Sequence, residues 1–311
     1  MRIAGRLAAG AVVAGMVAGL IVSGGSTARA AVSGTGGSRP AGARAAASGP
    51  AGVRSPWAEL ADMATGRDLW SRTSVTERPI GSITKVMTAY VVLEAGDLNR
   101  VITVPSGIIA YDDEYDASTA GLWPGERLTA GQLLYALLLP SGCDAAYTLA
   151  TAYGAHGSRA AFIATMNATA RKLGLTKTHF SDFSGLPDPG EYTTYSTARD
   201  LVSLGRDAMR LPEFRRLVAT ATYRLPATRN HGAYVWTNLD PLLGTFPGAA
   251  GIKTGFTAAA GDCLLFAADR GGRELIGVVL DSSSSPTGLP AAGADAAAML
   301  DWGFRQVAGS P

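Results

Sequence analysis

Between residues 55 and 307, apolar positions repeat with strand-like spacing near both ends and with helical spacing in the middle. Trp57-Ala58-Glu59-Leu60-Ala61-Asp62 reads as a strand, Thr65-Gly66 as a turn, and Asp68-Leu69-Trp70 as the start of a returning strand. Over residues 82–94, Ile83, Val86, Met87, Tyr90, Val91 and Leu93 form a broad helical stripe. Pro79 and Gly81 punctuate its entry and Gly96 its exit. Helical spacing returns over 129–139, 144–153, 158–173 and 197–209, with Thr129 as an N-cap and Pro140 as a stop. A polar loop over 181–196 carries Gly185, Pro187, Pro189 and Gly190. In the last third, 252–254, 262–268 and 274–280 read as strands, the last two flanking a hairpin turn over 269–273. A final helix covers about 293–304. Strands at both ends with helices between predict an α+β domain, a sheet carrying a mainly helical insert. There are no alternating β-α units and no Rossmann glycine pattern.

The first fifty residues follow another pattern. Met1-Arg2-Ile3-Ala4-Gly5-Arg6 is basic, residues 7–22 are apolar, and Ala28-Arg29-Ala30 is a small-residue cleavage pattern. That order predicts a secretory signal peptide over 1–30, since the apolar run is short of the about 20 residues a membrane span needs. Residues 31–54 are mostly Ala, Gly, Ser, Pro and Arg, and predict a flexible linker. A folded domain is expected over 55–307, exported and either secreted or held at the cell surface.

The chain has 27 basic and 25 acidic residues; losing Arg2, Arg6 and Arg29 with the signal segment leaves 24 against 25. A near-neutral protein has no nucleic-acid footprint, which needs a clustered basic face. The two cysteines, Cys143 and Cys263, are too few for a disulfide scaffold, though an exported pair could form one bond. The three histidines, His156, His179 and His231, have no metal-ligand spacing, and no metal or cofactor is expected.

Three short motifs carry candidate chemistry. In Ser82-Ile83-Thr84-Lys85, helical spacing puts hydroxyl and amine on one face. A serine hydroxyl is a weak nucleophile until a base takes its proton. A lysine can do so once burial lowers its pKa; an arginine cannot. Ser-x-x-Lys alone arises by chance on many helices. Ser141-Gly142-Cys143 follows Pro140; a serine there is either an N-cap or a proton relay. In Lys253-Thr254-Gly255, Lys253 and Thr254 can meet a carboxylate, and Gly255 permits close backbone approach to a ligand. The N–H groups of Phe256 and Ser82 can then face a developing oxyanion. Composition ties the motifs together. Of 27 basic residues only four are lysine, and Lys85 and Lys253 are two of them, at positions where arginine substitutes poorly.

This ordered set resembles the penicillin-recognising serine enzymes. Leu139-Pro140-Ser141-Gly142-Cys143-Asp144, Ser196-Thr197-Ala198-Arg199-Asp200-Leu201, and Gly251-Ile252-Lys253-Thr254-Gly255 with Gly261-Asp262-Cys263-Leu264 narrow it to the low-molecular-weight D-Ala-D-Ala carboxypeptidases. The resemblance spans about residues 57–304. It implies a β-lactamase/DD-peptidase-like fold, an antiparallel sheet of about five strands flanked by helices. It also implies that Ser82 is acylated by D-Ala-D-Ala-terminated peptidoglycan stem peptides, with Lys85 as general base and Ser141 passing the proton. Cys143, Lys253, Thr254, Gly255 and Phe256 would bind substrate, and β-lactams would acylate Ser82. The family's middle motif normally ends in Asn where Cys143 stands. This variant is similar to a streptomycete-type DD-transpeptidase, which raises transpeptidation over hydrolysis. A second departure is Asp240, in Trp236-Thr237-Asn238-Leu239-Asp240, where the family often has Asn. The resemblance puts Cys143 in the cleft and Cys263 on the strand beside it, where a bridge would obstruct the site; two free thiols are expected. Many relatives add a β-rich domain and an amphipathic membrane-binding helix. Neither is visible, so a single-domain enzyme without a transmembrane partner is expected. Two rivals share the motifs: a serine β-lactamase, for which Glu191 and Glu213 lack the expected pattern, and a catalytically weak wall-binding homologue.

Overall fold

A computed structural model of the chain describes residues 49–285 and 289–308. The expected signal peptide, 1–30, and the linker up to residue 48 lie outside the described residues. The end of that linker does not behave as spacer. Val53 is buried among the side chains of the last helix and the sheet. The N–H groups of Arg54 and Ser55 donate to the buried Asp295 carboxylate at 3.1 and 2.8 Å. A carboxylate taken out of water needs such donors, so ordered chain begins before Ser55.

In chain order the elements are β1 (Trp57–Asp62), β2 (Asp68–Arg72), a 3-10 turn (Gly81–Ile83), α1 (Thr84–Ala95), β3 (Val101–Thr103), α2 (Gly107–Tyr115), β4 (Arg127–Thr129), α3 (Ala130–Leu138) and α4 (Cys143–Tyr153). There follow α5 (Arg159–Lys172), α6 (Ala198–Met209), α7 (Pro212–Val218), β5 (Thr222–Leu225), β6 (Tyr234–Thr237), β7 (Ala249–Thr257), β8 (Gly261–Arg270), β9 (Arg273–Leu280) and α8 (Leu289–Ala308). One antiparallel sheet of five strands has the order β2-β1-β9-β8-β7. The first strand lies beside the last, so the two ends of the domain close one sheet and everything between is insert. β3–β4 and β5–β6 form small separate ladders.

Period-two alternation divides the apolar side chains between the sheet's faces. Leu264, Phe266, Leu275 and Val279 meet Met299, Leu300 and Phe304 of α8. Leu265, Ile276 and Val278 point the other way, into the large core shared with α1, α3, α4 and α6. Helices cover both faces, which is why β8 and β9 read as nearly continuous apolar runs. The β8–β9 hairpin turns at Gly271-Gly272, with φ of 65° and 79°; the type I′ turn, which matches strand twist, takes positive φ at both positions.

The helical expectations hold at their starts. Thr129 caps α3 through a reciprocal capping box with Gln132, and Ser158 and Thr197 cap α5 and α6. Three expectations change. Ser82 sits in the 3-10 turn before α1, not at the helix start. The strand expected over 252–254 is the nine-residue β7; a bulge between Ala249 and Ile252, at Gly251 with φ 103°, breaks its alternation. The last helix is longer at both ends than 293–304. The short α2 and α7 were not read from the sequence, nor were the four small-ladder strands, whose three or four residues carry too few periods.

Candidate active site

The 3-10 turn delivers Ser82 half-buried at the mouth of α1, and one helical turn on lies Lys85, 0 % exposed. An ammonium placed there must spend its three N–H donors. Lys85 Nζ donates to Ser82 Oγ at 2.9 Å, to the Ser184 carbonyl at 2.8 Å and to Cys143 Sγ at 3.3 Å. The predicted Ser82–Lys85 pair is therefore a direct contact.

The second motif arrives on a strained turn. Ser141 has φ 65°, a left-handed conformation costing on the order of 1–2 kcal/mol in a non-glycine residue. Its carbonyl accepts from Ser118 Oγ at 2.8 Å, and Cys143 N–H donates to the Ser118 carbonyl at 2.8 Å. Gly142 is required: a Cβ there would lie 2.6 Å from Asp144 Oδ1 and 2.7 Å from the Ala136 carbonyl. Ser141 Oγ is buried with no hydrogen-bond partner among the described residues, so the expected relay is present as a residue but not connected. Cys143 and Cys263 are both free and buried, as expected for two thiols.

β7 carries the third motif against the first. A Cβ on Gly255 would meet the Ile80 carbonyl at 2.5 Å and Ile83 N at 3.1 Å; one on Gly81 would meet Phe256 N at 2.8 Å. The close approach expected of Gly255 is thus made to the turn that holds Ser82, which brings the Phe256 and Ser82 amides together. Lys253 is 2 % exposed and its Nζ donates to the carbonyl and Oγ1 of Thr254 at 3.2 and 3.3 Å. Burial, and then the neighbouring charge of Lys85, lower its pKa to about 7, against opposing pulls from Cys143 and Asp240.

A cleft of about 410 Å³ opens over these elements. Ser82, Ser141, Thr254, Gly255 and Phe256 line it, whereas Lys85, Cys143 and Lys253 lie behind its wall. Tyr115, Ser118, Leu186 and Leu239 are among the other residues of its wall, with the carboxylates Asp116 and Glu191.

Two supporting carboxylates escaped the sequence reading. Asp182, fully buried, accepts from Ser184 N and Oγ (2.7 and 2.8 Å), Gly185 N (2.7 Å) and Thr194 Oγ1 (2.9 Å). It folds the 181–196 loop so that the Ser184 carbonyl faces Lys85. Gly185, with φ 90°, passes so close to the Ser82 turn that a Cβ would lie 1.9 Å from the Gly81 carbonyl. Asp144 holds the 118–122 segment through Ala120 N (2.9 Å) and Leu122 N (2.9 Å). The Ser-Asp-Phe-Ser-Gly stretch was the available signal for the first, since Asp and Ser in such loops bond to backbone two residues on.

The fold and this cleft define a member of the DD-peptidase/β-lactamase class of serine enzymes. The family model for D-alanyl-D-alanine carboxypeptidase matches residues 44–284. The chain belongs to that family. It is 41% identical over 251 residues to the D-alanyl-D-alanine carboxypeptidase of a Streptomyces species, covering 77% of this chain and 84% of that one. It is 38% identical to DacB2 of Mycobacterium tuberculosis, with 79% and 80% covered. Among solved structures, the Streptomyces DD-transpeptidase superposes with a TM-score of 0.75 at 40% identity, over 81% of this chain and 98% of that one. The carboxypeptidase of Mycobacterium tuberculosis gives 0.72 at 36%, over 86% and 95%.

Proposed function

We propose that this protein is an exported serine DD-peptidase acting on D-Ala-D-Ala-terminated stem peptides of peptidoglycan, with Ser82 as nucleophile. The observation that carries the reading is the 2.9 Å contact between Lys85 Nζ and Ser82 Oγ at the floor of a cleft whose opposite edge is the Lys253 strand. In its neutral form Lys85 accepts the Ser82 proton as Oγ attacks the penultimate D-Ala carbonyl. The N–H groups of Ser82 and Phe256 stabilise the oxyanion, a contribution of about 3–4 kcal/mol per donor in other serine hydrolases. Lys253 and Thr254 hold the terminal carboxylate. Ser141 returns the proton to the departing D-Ala amine once substrate draws its free hydroxyl into line. Water or an acceptor amine then releases the acyl group from Ser82, and β-lactams acylate the same oxygen.

Cys143 stands where the family's middle motif normally ends in Asn, and by similarity to a streptomycete-type DD-transpeptidase we take transfer to an amine to be favoured over hydrolysis. The Streptomyces relative solved as a DD-transpeptidase supports this balance. The test is incubation with a diacyl-D-Ala-D-Ala peptide, with and without a glycine-type amine, with products identified by mass. Free D-Ala together with an amine adduct is expected. No product in either arm, and no covalent penicillin adduct on Ser82, would remove the reading.

A further inference from the structure

The cleft carries charge that the chemistry above leaves unused. Of the residues that line it, Asp116 and Glu191 alone bear a charge, and both are acids. Lys85 and Lys253 lie behind the wall, 0 % and 2 % exposed, so the face turned to solvent is negative. The two acids stand on separate segments, each tied to a motif. Asp116 ends α2, two residues before Ser118, whose Oγ donates to the Ser141 carbonyl and whose own carbonyl accepts from Cys143 N–H, both at 2.8 Å. Glu191 stands on the 181–196 loop, whose Ser184 carbonyl binds Lys85 and whose Gly185 packs on the Ser82 turn. Both acids are exposed, and neither has a hydrogen bond or ion pair among the described residues. Exposed acids by themselves are ordinarily solvated surface. Ser141 marks this cleft as a place where a polar ligand enters: it is 4 % exposed, it lines the same cleft, and its Oγ has no hydrogen-bond partner among the described residues. A buried hydroxyl left unpaired costs free energy until a ligand meets it.

We propose that Asp116 and Glu191 are specificity-determining residues of the cleft, selecting a substrate that carries a primary ammonium on a flexible alkyl chain. That is the chemistry of a diamino-acid side chain, on the stem peptide that acylates Ser82 or on the acceptor that releases the acyl group. This choice of ligand rests on the DD-peptidase reading above. The ammonium meets the two carboxylates, and its methylene stem lies on the apolar part of the wall, which includes Leu186, Pro187 and Leu239. Long cationic side chains bury their stems in this way while the charged head stays at water. Charge of one sign in a cleft also raises the local concentration of the opposite charge. An acylated side chain forfeits that attraction, and an anionic one is repelled.

Two donor peptides supply the test: Nα-acetyl-L-Lys-D-Ala-D-Ala, with a free ε-ammonium, and its Nε-acetyl counterpart. Release of D-Ala gives kcat/KM for each. With each exposed ion pair worth about threefold, the free-amine peptide should be favoured about tenfold by the intact protein and about threefold by Asp116→Asn or Glu191→Gln. The double variant should show no preference, and added salt should shrink the preference of the intact protein. Charge reversal in Asp116→Lys/Glu191→Lys should favour an Nε-succinyl peptide over the free amine, a change of sign that a merely structural role would not produce. A second arm keeps the donor diacetylated and compares glycinamide with lysinamide, which adds an ammonium on an alkyl chain, in the ratio of amine adduct to hydrolysis. A preference in the first arm puts the ammonium on the donor and one in the second puts it on the acceptor; either supports the proposal. No preference in both arms, or one that the double variant retains, would overturn it. If neither peptide is turned over and penicillin forms no adduct, the DD-peptidase reading falls separately. Calorimetric binding of the two donor peptides then decides the ammonium preference, and equal affinities would overturn it.

Discussion

Gly255→Ala tests the packing that joins the first and third motifs. The new methyl group would lie 2.5 Å from the Ile80 carbonyl and 3.1 and 3.2 Å from Ile83 N and Cγ1. Ordinary contact begins near 3.4 Å, so β7 and the Ser82 turn must separate by roughly 0.9 Å. Neither partner moves freely. β7 is hydrogen-bonded to β8 through this register, and Ile80 and Ile83 are 1 % and 0 % exposed. Forcing one carbon into such a site costs about 1–3 kcal/mol, a loss of roughly 2–12 °C in Tm for a domain of this size. The catalytic effect is larger, because a displacement of about 1 Å lowers rate about 100-fold. The two proposed oxyanion donors, Ser82 N–H and Phe256 N–H, lie on opposite sides of the gap. Stopped-flow acylation by a fluorescent penicillin, with circular dichroism and thermal melting in parallel, separates the effects. The expected result is a folded protein, modestly destabilised, that acylates about 100-fold more slowly. Gly271→Ala is the control, with positive φ but no atom within 4 Å, and should lose stability without losing acylation. A Gly255→Ala protein that acylates within about twofold of wild type would refute the claim that this contact sets the site's geometry.

Four further outcomes are expected. Ser82→Ala should retain the fold and lose the covalent penicillin adduct entirely, read by mass of the intact protein. Asp182→Ala strands the Ser184 and Gly185 N–H groups and the Thr194 hydroxyl, and should lower unfolding free energy in urea by about 3 kcal/mol or more while slowing acylation through Lys85. Asp262→Asn should raise Tm at pH 7, with the gain vanishing toward pH 4. Burial lifts the Asp262 carboxyl to about 6, so its favourable contribution is present below the unfolded value of about 4 and lost as pH rises through 6. Thiol titration in denaturant should find two free cysteines, and far slower reaction in the native state, where both are buried.

The elements that span several periods were legible from sequence alone. β1, α3, α5 and α6 follow from apolar spacing, and α3 also from the cap Thr129, because these signals are local. The three motifs were legible for a different reason: an arginine-rich chain that keeps lysine at 85 and 253 reveals chemistry that arginine cannot perform. What could not be read was closure. That β1 lies beside β9, and that β7 packs flush on the Ser82 turn through Gly81 and Gly255, depends on contacts between residues far apart in the chain. Asp182 was an ordinary loop acid until folding buried it beneath the Lys85 loop. Spacing records which side chains share a face of one element. Burial and charge coupling arise only when several elements exclude water from the same place, so the electrostatics of this cleft were decided by the tertiary structure.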